Sequence, residues 1–112
     1  MILRMTAEDF ELGEELAKYA RGKLENLDKY LPHKDRATTL LEVTFSEQGA
    51  LKTCQLTVKL RREEIIARET TQHMYASLDV AVVAVEQRLR DYRRQHPGAV
   101  RKYLNDRRAN LR

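Results

Sequence analysis

Apolar and polar residues repeat along this chain with two different periods, and each change of period marks an element. In ILRMT, Leu3 and Met5 fall on one side of a two-residue repeat, opposite Ile2, Arg4 and Thr6, which predicts a short first strand. From about Gly13 to Leu31 the apolar positions Leu16, Tyr19, Ala20, Leu24, Leu27, Tyr30 and Leu31 follow the three-and-four spacing of an amphipathic helix. Glu14 and Glu15 sit in its first turn, where carboxylates favour the positive end of the helix dipole, and Pro32 closes it. In ATTLLEVTFSE the alternation of Leu41, Val43 and Phe45 with Glu42, Thr44 and Ser46 predicts a half-buried strand. Gly49 permits a turn, and Cys54, Leu56, Val58 and Leu60 then alternate with polar residues as far as Arg61. A further strand in EEIIARET follows a charged corner near Arg62 and Glu63, which has no Asn-Gly or Gly-Gly pair.

From about Thr71 to Gln95, Met74, Leu78, Ala81, Val82, Val85, Leu89 and Tyr92 form one helical stripe. Taken alone, VAVVAV has the β-branched content of a buried strand. The stripe continues through Leu89 and Tyr92, too far for an ordinary strand, so length decides for a helix. His96, Pro97 and Gly98 end it, and the segment 97–112 is too polar to pack alone. The order is β-α-β-β-β-α. One apolar face per element predicts an α+β fold: a two-layer sandwich with a four-stranded, mostly antiparallel sheet and two helices on one face. The expected division is a domain over residues 1–96 and a basic, flexible tail over 97–112.

A length of 112 residues fits one domain with a modest core. No run of about 18 apolar residues is long enough for a bilayer span, and the N-terminus lacks the pattern of a secretory signal, so a soluble cytoplasmic protein is expected. Cys54 is the only cysteine, and His33, His73 and His96 lack the clustered spacing of a zinc site; neither a disulfide nor a metal is expected to hold the fold. The four glycines lie too far apart to build a phosphate loop, so no nucleotide cofactor or other small-molecule substrate is expected. Cys54 falls on the apolar face of a strand, where cysteine serves as a small hydrophobe. Glu63 and Glu64 are neighbours at a turn and point to opposite sides, which makes a poor acid/base pair. His73 reads as a helix-terminus residue. No acid, base and nucleophile converge, and an enzyme is the reading least supported.

Charge distribution is more informative than net charge. From Arg88 to Arg112, nine lysines and arginines stand against Asp91 and Asp106, a net of +7, whereas Met1–Gln87 carries −3. Such asymmetry suggests a polyanionic partner, because basic side chains release counterions condensed on phosphates. At ~100° per residue, Arg90 and Arg94 lie on the outer side of the second helix, with Arg88 and Arg93 at opposite edges of its apolar stripe. Lys23 lies beside Tyr19 and Tyr30 and looks toward the groove between the helices, while Lys18, Arg21 and Lys29 face away. Each charge alone is accounted for by solubility; only the cluster points to RNA. Tyr19, Tyr30, Tyr75 and Tyr92 lie on or near apolar stripes, so Tyr103 is the tyrosine freest to stack on a base.

These residues also carry a family resemblance. FELGEEL after the first strand, GKLENLDKYL in the first helix and HMYASLD at the start of the last make the chain resemble the short bacterial ribosome hibernation-promoting factors, or ribosome-associated inhibitors, over about Met1–Gln95. In HMYASLD, the most specific of the three, Met74 and Leu78 anchor the helix, Tyr75 stands between them, and Asp79 favours the helix dipole. The resemblance implies a stress-response factor that binds ribosomal RNA of the small subunit near the decoding centre, blocks the tRNA and mRNA sites, and is a monomer off the ribosome. Carried over by position, the RNA contacts would be Lys23, Arg88, Arg90, Arg93 and Arg94, with Arg101 and Lys102 in the tail.

Three departures from the pattern involve four positions. His73 replaces an acidic cap, which leaves Thr70 or Thr71 to cap the helix. Gly13 replaces a better-capping residue, at little cost. Ala84 and Gln87 stand where Lys or Arg is frequent, which shifts the expected contacts toward the helix end and tail. A C-terminal dimerisation domain, present in long members, is not expected. Two further readings stay open: a protein-interaction regulator of the sigma-factor-modulating kind, and a generic double-stranded RNA binder.

Overall fold

The computed structural model describes residues 1–95; the segment 97–112, with Arg101, Lys102 and Tyr103, and His96 lie outside them. The elements are β1 (Ile2–Glu8), α1 (Glu14–Glu25), β2 (Leu40–Gln48), β3 (Leu51–Lys59), β4 (Glu64–Thr71) and α2 (Met74–Gln95). They form the expected α+β arrangement. The sheet runs β1-β2-β3-β4 in chain order, with β1 parallel to β2 and the other two pairings antiparallel. Parallel pairing of consecutive strands requires a long crossover, which α1 and the two 3-10 turns after it provide.

Strand register follows from a single buried face. Leu41, Val43 and Phe45 pair with Val58, Leu56 and Cys54, and the row extends outward to Ile65 and Ala67 on β4 and to Leu3, Met5 and Ala7 on β1. Leu78, Ala81, Val85 and Leu89 of α2 and Ala20, Leu24 and Leu27 of the first helical segment are fully buried against this face. The opposite face is polar. Glu42 there pairs with Arg4 and Lys59 at 3.9 and 3.1 Å, and the hydroxyls of Thr53 and Thr70 meet at 2.8 Å. Gly49 in the β2–β3 turn has φ +61°, a left-handed conformation that glycine adopts without steric cost. The β3–β4 corner is closed by the Leu60 N–H donating to the Glu63 carbonyl at 2.9 Å.

The first helix is shorter than its apolar stripe predicts. It ends at Glu25 and continues as a 3-10 turn over Asn26–Tyr30, in which Leu27 is still fully buried, as is Leu31 just beyond it. Asn26 and Asp28 are weak helix formers, which favours the change of pitch there. The stripe keeps its apolar side but changes pitch. Gly13 is the N-cap and contributes no side-chain bond. At the start of α2, Thr71 rather than Thr70 secures the entry: its hydroxyl accepts the His73 N–H at 3.1 Å, and Ser77 Oγ donates to the Lys52 carbonyl at 2.6 Å.

Cys54 is buried, and burial pushes its thiol up to about 12. The unfolded thiol titrates near ~8.5, so stability linked to this group is constant below that value and falls as pH rises through the folded one. Iodoacetamide at pH 8 is therefore expected to leave the native protein unmodified and to label it fully in denaturant; rapid native labelling would contradict the burial. Phe45→Ala is expected to cost about 3–5 kcal/mol by urea unfolding, against less than about 0.5 kcal/mol for Val83→Ala on the surface.

Candidate nucleic-acid interface

Both helices lie on one side of the sheet, and their facing edges bring together residues far apart in sequence. The Tyr19 hydroxyl donates to the two carboxylate oxygens of Asp79 at 2.8 and 3.0 Å. Lys23 Nζ lies 3.8 Å from the same carboxylate and 5.5 Å from the centre of the Tyr19 ring. The Tyr75 ring meets Tyr19 edge-on at 4.9 Å. Asp79 thus ties α2 to α1, a larger role than the dipole effect that its position suggests. Its hydrogen bond, reinforced by desolvation and by its charge, raises the Tyr19 phenol above the ordinary tyrosine range. Met74 and Leu78 are buried as expected, whereas Tyr75 is 42% exposed and not a core residue.

The arginines at the end of α2 diverge. Arg88 turns toward the sheet edge and donates to the Ile66 carbonyl of β4. Arg90 turns toward the first helical segment: its guanidinium lies 5.2 Å from the Tyr30 ring centre, and Nη2 is 3.4 Å from the Tyr30 hydroxyl. Arg93 is half-buried. Arg94 is exposed and pairs with Asp91 one turn earlier. Lys23 does reach the groove between the helices, as expected, but with its ammonium held by Asp79 and Tyr19.

Lys29 joins this set unexpectedly. An uninterrupted helix turns it away, yet Nζ lies 5.2 Å from the Tyr30 ring centre, so Lys29 and Arg90 both approach one tyrosine. The 3-10 turn resets the angular position of every residue after Glu25, and the apolar stripe alone carries no signal of that change. Arg101 and Lys102 fall outside the described residues.

No group of three or more His, Cys, Asp and Glu residues suited to a metal occurs among the described residues. An open cleft of about 280 Å³ between β4 and the end of α2 is lined by Glu63, Glu64, Ile65, Arg88, Asp91, Tyr92 and Gln95. It lacks a paired nucleophile and base. No described helix is long and apolar enough to cross a membrane.

The profile of the family described as sigma 54 modulation protein / S30EA ribosomal protein matches residues 3–96. Among solved structures, the N-terminal domain of Protein Y from Thermus thermophilus superposes with a TM-score of 0.73 at 22% identity, covering 83% of this chain and 100% of that one. A ribosomal subunit interface protein from Coxiella burnetii superposes with a TM-score of 0.70, also at 22% identity, covering 83% of this chain and 98% of that one. These likenesses establish a shared fold. Comparison with curated proteins gives no match.

Asp79→Ala is expected to return the Tyr19 phenol toward the ordinary value near ~10, read by ultraviolet titration, and to cost about 1 kcal/mol of stability. An unchanged Tyr19 titration would show that Asp79 does not hold the hydroxyl.

Proposed function

The chain belongs to the sigma 54 modulation protein / S30EA ribosomal protein family, and from that membership we propose that it is a ribosome hibernation factor that binds small-subunit RNA near the decoding centre and blocks the tRNA and mRNA sites. The family consists of binding factors rather than enzymes. One observation carries the reading: Lys29, Arg90 and Arg94 stand on the helical side of the molecule, with the Arg90 guanidinium over the Tyr30 ring at 5.2 Å and its Nη2 3.4 Å from the Tyr30 hydroxyl. A guanidinium held by its face still presents edge N–H groups to phosphate oxygens. This favours recognition of an RNA backbone by position and shape rather than by reading bases.

Lys23, Arg88 and Arg93 extend the surface. Lys23 is paired with Asp79, but an exposed ion pair contributes only about 0–1 kcal/mol, so exchange of that carboxylate for a phosphate is inexpensive; Arg88 has only the Ile66 carbonyl as partner. Arg101 and Lys102 would add contacts beyond the helix end. Off the ribosome the chain would be a monomer, and binding to the ribosome would place it in the cytoplasm. The family's description also favours a second reading, a protein partner in sigma-factor control.

Replacing Arg90, Arg93 and Arg94 together with Glu is expected to leave the circular dichroism spectrum intact. The same variant should weaken co-sedimentation with small subunits by about a hundredfold and lower the slope of log affinity against log salt by about 3. Retained affinity in the folded variant would reject the site. Capture of a protein partner that resists ribonuclease and tolerates the triple replacement would favour the second reading, and equal displacement by any RNA duplex would indicate a generic duplex binder.

A further inference from the structure

Helix α2 changes character along its length. Met74–Gln87 contains Asp79 and Glu86 and no lysine or arginine, whereas Arg88–Gln95 contains four arginines and one acid. Three of the six large apolar side chains exposed among the described residues crowd into the first part: Tyr75 at 42%, Val80 at 47% and Val83 at 53% exposure. Val80 and Val83 are one turn apart, on the side of the helix opposite the buried stripe of Leu78, Val85 and Leu89. Tyr75 turns to Tyr19 at the edge facing α1, whereas Val80 and Val83 adjoin on the outer side, and an adjoining apolar pair on a stretch of helix without cations offers a contact for another apolar surface. Valine is also a poorer helix former than lysine or glutamine, so these positions gain nothing locally.

RNA phosphates do not fit this half. It offers no cation of its own, and the exposed valines have no donor for a phosphate oxygen. Asp79 is answered by Lys23 and Tyr19, whereas no ion pair of Glu86 occurs among the described residues, which leaves Glu86 to meet a cation of a partner. We propose that the N-terminal half of α2 docks a protein segment carrying aliphatic and basic side chains, seated beside the RNA that the arginine half engages. Proteins already bound to a polyanionic RNA have that chemistry. The helix would then span a junction between protein and RNA, with the aliphatic group closing on Val80 and Val83 and the basic group on Glu86. This inference rests on the ribosome-binding reading of the arginines.

The test combines two measurements on intact small ribosomal subunits. The variant Val80→Asn/Val83→Asn conserves helix propensity. It is expected to bind about tenfold more weakly than the wild type with an unchanged salt slope, and photo-crosslinking from p-benzoyl-phenylalanine placed at Val83 is expected to yield an adduct with a ribosomal protein. Unchanged affinity of the variant, an adduct to RNA, or no adduct would each overturn the proposal while leaving the arginine site standing. Failure of the wild type to bind subunits at all would overturn both readings.

Discussion

Burial of the row Leu41, Val43 and Phe45 beneath α2 constrains where every cation on the helical side can go. The sheet has one apolar face, so both helices must cover it, and each must turn its own apolar stripe inward. Tyr92 is buried at the end of that stripe, which leaves Arg88 and Arg93 at its two edges and Arg90 and Arg94 outward. The parallel β1–β2 pairing adds a second restriction. The chain must cross over between these strands, and the crossover brings Tyr19, Lys23 and Tyr30 alongside α2.

Polar links then set the relation of the two helices more finely than apolar burial does. Hydrophobic contact is nondirectional, while the Tyr19–Asp79 hydrogen bonds and the stacking of Arg90 on Tyr30 each require one geometry. They join the helices near both ends of their shared edge. The same side chains serve fold and surface at once, with their cations oriented before any partner arrives. Such preorganisation lowers the entropy lost on binding, because lysine and arginine otherwise surrender much rotamer freedom.

The division of α2 into an apolar half and a basic half gives the helical side two kinds of contact surface. The two stretches follow one another along a helix of 22 residues, about 33 Å long. Ala84 and Gln87, near the middle, carry no charge that would extend the basic half toward the N-terminus.

Element order, fold class and the apolar faces of β2 and β3 were determined by the sequence itself, because periods of two and of three to four are set by backbone geometry and need no knowledge of neighbours, whereas the adjacent Ile65 and Ile66 of β4 leave its buried face open until the sheet pairs. The placement of Met74, Leu78 and Cys54 in the core and of Arg90 and Arg94 outside it follows from the same periods. Tertiary structure alone decided what depends on distance between segments. Asp79 answers Tyr19 and Lys23 across 60 and 56 positions, a pairing no local pattern encodes. Lys29 and Arg90 approach one ring, that of Tyr30, within the 3-10 turn that follows Glu25. Arg88 meets the edge of β4 because antiparallel pairing to β3 leaves that edge beside the last turns of α2. Periodicity assigns a side chain to a face, whereas its partner is chosen by the contacts available once the faces have closed.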